Sequence, residues 1–427
     1  MKVLIISHNP ISTKTSIGKT LLSLFSEFKK EELCQLYVHR GLPEGEHCHS
    51  YYQITDKAAL RGILTRSVAG KMVESLSSYE ENSIPEDAFY QKVAHGAKKR
   101  NPSRELTRDF IWKLAPWYNT DLQNWISQER PECIFVALGS GKFLYDMALK
   151  ISKEFQLPIV SYVCDDFYFM KSPQMPLGKL WKKLLIKKSN ALFEHTDTIV
   201  SICPEMSELY GKHFGRPAVT VMTGSHMKPV DRDTVKEEIE TLRYFGKLSL
   251  NRYRSMAEIC KVLDLINQEQ GTSYAVEIFT GDLEEEEKSA FKDIGCVKFF
   301  AFVTGAEFVE KFTSSDILIH VEGFDQATVD RVRYSVSTKI ADSLASGIPL
   351  FAYGPADVAS IQHLLRNHAG AVAVSTAELK EKLLLILQDS DERKKISEYE
   401  IMTAKQYHDS KYVSRYLRSI LYEKFGQ

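Results

Sequence analysis

Lys247 directly follows Gly246 at the end of the apolar stretch "TLRYF", and Arg252 comes five residues later. Two cations on a short loop at a strand end suit a diphosphate. Open parallel sheets take ligands beyond the carboxyl ends of their strands, and charged donors make the strongest bonds to phosphate oxygens. A second group of residues stands in "SVSTKIADSLASGIP", positions 335–349. Ser335, Ser337 and Thr338 open a helical pattern, Lys339 and Asp342 follow, and Gly347 ends it. Hydroxyls, backbone N–H groups and the helix dipole converge at such a start, which favours an anion. Asp342, one turn further in, is placed to accept from ribose hydroxyls, the role of the acid in dinucleotide folds. Gly281-Asp282 closes the strand-like "EIFTGD" and marks another loop at a sheet edge.

Near the start, "HNPISTKTSIGKTLLSLF" (8–25) follows the apolar run Val3–Ile6 and contains Gly18-Lys19-Thr20. A P-loop needs a glycine five residues before Gly18, and Thr13 stands there. "ALGSGKF" holds a second Gly-Lys pair, Gly141-Lys142, with Val136 at the first-glycine position and Phe143 in place of Ser or Thr. Neither stretch is an NTPase loop. Lys19 reads as a solvated lysine. Gly18, at a strand-to-helix turn, lets a phosphate or sugar approach the backbone.

These residues need a scaffold of strands and helices. The chain of 427 residues is long enough for two or three domains with their own cores. Lys+Arg 55 against Asp+Glu 56 leaves no field that selects nucleic acid. No window of about 18 to 20 apolar residues offers a membrane span, and "MKVLIISHNP" lacks the features of a signal peptide. Seven scattered cysteines without a C-x-x-C pair argue against a disulfide framework or zinc site and fit a reducing cytosol. Short apolar runs ("KVLIIS", "ECIFVALGS", "LPIVSYVCDD", "DTIVSIC", "AVTVMTGS", then "TLRYFGKLS", "YAVEIFTGD", "CVKFFAFV", "DILIHVEGF", "GIPLFAYGP") alternate with helical patterns. In "GKFLYDMALKISKEF", Phe143, Met147, Ile151 and Phe155 share one face, and Pro204 opens another helix. Such alternation means βαβ units and parallel sheets, and the break near 225–233 divides them into two series. Region 56–130 reads as a mostly helical elaboration with Trp112, Trp117 and Trp125 as core residues.

With these motifs in place, the chain resembles the GT-B-fold glycosyltransferases, in particular the retaining glycosyltransferase family 4. Gly246-Lys247-Leu248 with Arg252 is similar to that family's G-R-L followed by K, with the two cation types exchanged. Ser335 to Pro349 resembles S-V-P-[ST]-K-x-x-E-Y-x-A-x-G-x-P, with Ser337 for Pro and Asp342 for the ribose-binding Glu. Glu322-Gly323-Phe324 matches the family's E-G-F, and Asp165-Asp166 in "LPIVSYVCDDF" stands where the family has His-Asp. "TDTIVSICPEMSELYGKHFG" resembles the stretch before the interdomain linker.

The resemblance implies two doubly wound Rossmann-like domains facing across a cleft. They are an acceptor-side domain over 1–228, a nucleotide-sugar domain over 229–405, and a last helix over 406–427 packing back on the first. It implies transfer of a sugar from a nucleoside-diphosphate sugar, UDP favoured over GDP, to an acceptor hydroxyl with retention. The implied acceptor is a lipid-linked, polysaccharide or oligosaccharide glycan in surface polysaccharide synthesis. Lys247, Arg252 and the start at Ser335–Thr338 would hold the charge of the leaving diphosphate, with no metal or other cofactor. Gly18, Gly246, Gly281, Asp282, Glu322, Lys339 and Asp342 complete the donor set. Asp165 and Asp166 would project towards the acceptor, to orient its hydroxyl or act as base, while retaining members are thought to use the donor phosphate as base. The rival readings are a nucleotide-sugar epimerase of the same fold and a non-catalytic sugar-binding protein. The expected location is cytoplasmic and peripheral at the membrane. There, "LGKLWKKLLIKKSNALF" (177–193) sets Lys179, Lys182, Lys183, Lys187 and Lys188 beside Leu180, Trp181, Leu184, Leu185 and Ile186, a pattern suited to an anionic leaflet or to an ordinary amphipathic helix.

Overall fold

The computed structural model describes residues 1–13, 15–74, 101–230 and 238–426. Residues 75–100 of the helical elaboration expected over 56–130, and 231–233 of the break expected near 225–233, lie outside those residues. Two compact units divide the chain. One takes Met1–Met222 with Val413–Gln427, the other Thr223–Tyr412.

Unit 1 contains β1 (Val3–Ser7), α1 (Ser16–Leu24), β2 (Leu33–Tyr37), β3 (Ser50–Gln53), α2 (Asp56–Thr65), β4 (Lys71–Val73), α3 (Pro102–Leu114), α4 (Thr120–Glu129) and β5 (Cys133–Ala137). It continues with α5 (Phe143–Phe155), β6 (Ile159–Val163), α6 (Gly178–Glu194), β7 (Thr196–Ser201), α7 (Pro204–Phe214) and β8 (Ala218–Thr220). The strand order is β4-β3-β2-β1-β5-β6-β7-β8, parallel except for β3 against β4. Every residue of β1, β5 and β6 is buried, as befits parallel strands covered on both faces. The chain winds outwards from β1 to one side, then returns to β5 on the other, so the sheet reverses between β1 and β5.

Gln35 shows how β2 can bury a polar residue. Its amide donates to Ser7 Oγ (2.9 Å) and Asn9 O (3.2 Å) and accepts from Ile11 N (3.1 Å). The hydrogen bonds satisfy the amide and pin the loop after β1. Trp112 and Trp125 are core residues, 1% and 2% exposed.

Unit 2 contains β9 (Thr241–Phe245), α8 (Arg252–Gln270), β10 (Ala275–Phe279), α9 (Glu285–Ser289), β11 (Val297–Phe300), α10 (Gly305–Thr313), β12 (Ile317–Val321) and α11 (Gln326–Val332). Then come α12 (Thr338–Ser346), β13 (Leu350–Tyr353), α13 (Ala359–Asn367), β14 (Ala371–Ala373), α14 (Thr376–Gln388) and α15 (Ser390–Tyr407). Its six strands are parallel in the order β11-β10-β9-β12-β13-β14 and reverse between β9 and β12. Leu242, Ile259, Leu263, Ile278, Ile317 and Leu383 are among its buried core. The final helix α16 (Ser410–Phe425) leaves this unit at once. Its Val413, Leu417 and Leu421 join Val3, Ile5, Leu21 and Phe135 in the core of unit 1.

Candidate active site

The reversal in unit 2 carries the first group of residues. β9 ends at Phe245, and Gly246 turns with φ +145°, a conformation that favours glycine. A Cβ there would fall 2.7 Å from Lys339 Nζ, so the Lys339 side chain of α12 reaches the bare backbone of the β9 loop. Lys247 is exposed, and its carbonyl accepts from the buried Tyr244 hydroxyl at 2.8 Å. Leu250 and Asn251 then adopt left-handed φ values of 62° and 56°. Such a pair costs roughly 1–2 kcal/mol per residue. The strained turn delivers Arg252 as the first residue of α8.

Arg252 is not a solitary cation. Its Nε and Nη2 both donate to Glu322 Oε2, at 3.0 and 2.8 Å. Glu322, just past β12, is 2% exposed. His320 Nε2 lies 3.3 Å from the other oxygen, Oε1, without hydrogen-bonding alignment. Burial pushes the Glu322 carboxyl up, but the Arg252 charge and the nearby His320 outweigh it and hold the group below the usual carboxylate range. Glu322, expected to touch a donor, therefore spends its carboxylate on orienting Arg252. Around them lies a cavity of about 30 Å³, room enough for ordered water, lined in part by Tyr244, Arg252, His320, Ser337, Lys339 and Ser343.

At α12, Ser337 is the N-cap residue but its side chain makes no capping bond. Its N–H donates to Ser360 Oγ (3.2 Å), and that hydroxyl donates to Ser335 O (3.2 Å), so Ser360 holds both serines' backbone in place. Thr338 begins the helix proper. Asp342 sits one turn in and accepts from Ser225 Oγ at 2.6 Å. Gly281 and Asp282 are exposed at the rim of a broad depression of about 850 Å³ with Phe299, Phe300 and Phe302. The last residues of three adjacent strands, Phe245, Phe279 and Phe300, stack in register with ring centroids 4.7 and 5.0 Å apart. The repeated ending in "RYF", "EIF" and "KFF" is the sequence signal for this aromatic ladder.

Unit 1 corrects two expectations. Gly18 lies inside α1, and its N–H already donates to the N-cap Thr15 Oγ1 at 3.1 Å. A Cβ there would fall 2.6 Å from that oxygen and 2.9 Å from Ser12 O, so the glycine serves close packing of its own loop. Asp166 does not project: it is 5% exposed and its Oδ1 accepts from Phe169 N and Tyr210 Oη, each at 2.8 Å. Burial pushes its carboxyl up, with those hydrogen bonds opposing. Asp165, the next residue back, is exposed.

The reversal between β1 and β5 instead gathers residues that motif reading missed. His8 Nε2 accepts from Arg108 Nη2 at 2.9 Å, which leaves the proton on Nδ1, 3.2 Å from Asn9 Oδ1. Burial, then the Arg108 charge, lower His8 to about 4. His39 Nδ1 accepts from Gly41 N (3.0 Å), which makes Nε2 its donor side. Burial, Arg40 and Arg108 lower it too. Gln53 Nε2 donates to the carbonyls of His39, Arg40 and Gly41 and fixes that loop. Arg108 Nε is itself bonded to Asp56 at 2.9 Å. A histidine straight after a buried strand was the available signal.

No family model matches the chain, and no curated protein sequence matches it. Solved structures do. The HepE protein of Anabaena in complex with UDP and glucose superposes with a TM-score of 0.63 at 10% identity, over 99% of this chain and 100% of that one. Sucrose-phosphate synthase from Thermosynechococcus elongatus gives 0.61 at 9% identity, over 100% and 99%. WaaG, a glycosyltransferase involved in lipopolysaccharide biosynthesis, gives 0.53 at 12% identity, over 98% and 99%. The chain has the GT-B fold. In this GT-B chain each unit supplies one sheet reversal, and both reversals carry the charged or imidazole side chains described above.

Proposed function

We propose that the chain is a glycosyltransferase moving a sugar from a nucleoside-diphosphate sugar to an acceptor hydroxyl with retention, as in family 4. One observation carries this reading: the Arg252–Glu322 clamp beside Lys339, Gly246 and the uncapped start of α12, at the sheet reversal of unit 2. Two cations held by their neighbours and a helix start are a preorganised receptor for a departing diphosphate. Lys247 adds an exposed charge on the same loop. UDP is favoured over GDP, and the structures similar to this chain include complexes with UDP and with UDP-glucose. Asp342, fixed by Ser225, is the proposed ribose partner, and the depression by Gly281 and Asp282 offers aromatic edges to a base.

In the transfer, the bond from the anomeric carbon to the diphosphate oxygen breaks and the acceptor oxygen bonds to that carbon. The acceptor proton passes to the departing phosphate. Arg252, Lys247 and Lys339 stabilise the charge that gathers there, while Glu322 keeps Arg252 aimed. On unit 1 the acceptor-side residues are Asp165 and the His39–Arg40–Arg108 group, and the acceptor is a glycan, free or lipid-linked, in surface polysaccharide synthesis. The chain works on the cytoplasmic side, peripheral to the membrane.

Calorimetric titration with UDP and GDP, followed by incubation with UDP- and GDP-sugars, tests the proposal. Binding of a nucleoside diphosphate that Lys247→Ala weakens, with slow release of free sugar, is the expected result. Recovery of an epimerised donor would transfer the site to the epimerase reading, and no binding of either nucleotide would overturn the donor site.

A further inference from the structure

The basic, apolar stretch at 177–193 does not form the surface its sequence suggests. In α6, Trp181, Leu185, Leu192 and Phe193 are buried within unit 1. Lys182 is buried too, and donates to Phe167 O at 2.7 Å and Tyr168 O at 2.6 Å. Lys188 pairs with Asp146 at 2.5 Å. Trp181, Lys182 and Leu185 of the apparent membrane face are therefore core.

What stays outside is a knuckle at the start of the helix. Gly178 N donates to Met175 O (2.9 Å) and Trp181 N to Leu177 O (2.8 Å). A Cβ on Gly178 would fall 2.0 Å from Pro173 O, so the turn closes tightly on its own backbone. Leu177 is held in the left-handed region at φ 63°, which a branched apolar side chain disfavours, and it is 51% exposed. Met175 is 42% and Leu180 46% exposed. Leu180 lies three residues after Leu177, which places the two side by side at the first turn. Exposed Lys179, Lys183 and Lys187 follow at a spacing of four, one stripe along the helix, and exposed Lys171 precedes the turn. A strained turn that displays three apolar side chains, bordered by cations, is costly in water and complementary to an anionic interface.

We propose that this knuckle, Met175 to Leu180 with Lys171, Lys179 and Lys183, docks unit 1 on an anionic lipid surface. Its apolar tips enter the headgroup boundary and its lysines meet the lipid charges. Shallow insertion and electrostatics each give weak attachment and together give a reversible one that salt loosens. The inference rests on the peripheral-membrane reading above and gives it a contact surface.

The full chain is floated with phosphatidylcholine vesicles with and without phosphatidylglycerol, and UDP titration is run in parallel. Leu177→Asn suits the left-handed turn, so the variant keeps its fold. Wild type should bind only the vesicles with phosphatidylglycerol. Leu177→Asn/Leu180→Ser and Lys179→Glu/Lys183→Glu should each lower the bound fraction about tenfold, whereas Lys212→Glu on α7 should not. Equal binding to both vesicle types, or wild-type binding by both double variants, overturns the knuckle. UDP affinity should be the same in all variants. Lost UDP binding with intact vesicle binding overturns the donor site and leaves the knuckle standing, and the reverse result leaves the donor site standing.

Discussion

At its sheet reversal unit 2 buries an ion pair, Arg252 with Glu322, whereas at the equivalent reversal unit 1 packs two imidazoles, His8 and His39, against Arg108. Both arrangements sit beyond the carboxyl ends of parallel strands, the place where open α/β sheets take ligands. The first keeps a full charge at low solvent exposure by sharing it with a carboxylate, which suits a ligand bearing fixed negative charge. The second is made of neutral rings whose donor sides are set by Arg108 and Gly41, which suits hydroxyls and direction-dependent hydrogen bonds. The same topology thus supports a charged pole and a neutral one.

The largest test of that contrast is Arg252→Ala. It leaves Glu322 buried without its partner and should destabilise unit 2 by about 3–5 kcal/mol in urea unfolding. Adding Glu322→Gln should restore most of the stability and none of the nucleotide binding. If the double variant binds UDP like wild type, Arg252 is structural only.

The neutral pole should betray itself in acid. Folded His8 stays unprotonated down to about 4, while the unfolded imidazole takes its proton near 6.5. The unfolded chain binds more protons in that window, so this contribution to stability is present above about 6.5 and lost as pH falls towards about 4. The loss is on the order of 3 kcal/mol. Wild type should lose that much more than His8→Asn between neutral and acid unfolding curves; parallel losses would remove His8 from the acid response.

Asp342→Asn keeps the Ser225 contact in shape but discharges the acceptor, and should weaken donor binding by about 1.5–3 kcal/mol. A donor analogue lacking the ribose hydroxyls should bind wild type and variant alike. Lys247→Ala, at an exposed loop position, should cost about 1 kcal/mol in UDP affinity and leave the melting temperature unchanged. A clear fall in melting temperature would place Lys247 with Arg252 as part of the fold.

Much of the scaffold was readable because parallel strands buried on both faces appear as predominantly apolar runs, as in β1, β5, β6 and β12. The strands "LCQLY" and "SYYQ" escaped, since Gln35 interrupts one and Gln53 ends the other, and their burial is explained only by the bond of Gln35 to Ser7 on β1 and of Gln53 to the loop carbonyl of His39. Loop cations and the α12 start were legible from local spacing. The partnership of Arg252 with Glu322 was not, because it joins residues 70 positions apart. Asp166 misled for the same reason: an acid at a strand end looks exposed until Tyr210, 44 positions on, is seen to bond it.

The return of α16 to unit 1 has a consequence for the order in which the chain matures. Unit 2 is one continuous stretch, so its contacts can close as soon as residue 412 is synthesised. Unit 1 is interrupted: Val413, Leu417 and Leu421 must pack on strands made about four hundred residues earlier. Until they arrive, the groove lined by Val3, Ile5 and Leu21 is open to water and to chaperones. Truncation before Val413 should therefore yield a sound unit 2 attached to an aggregation-prone unit 1, although the lost helix lies far from either site in sequence.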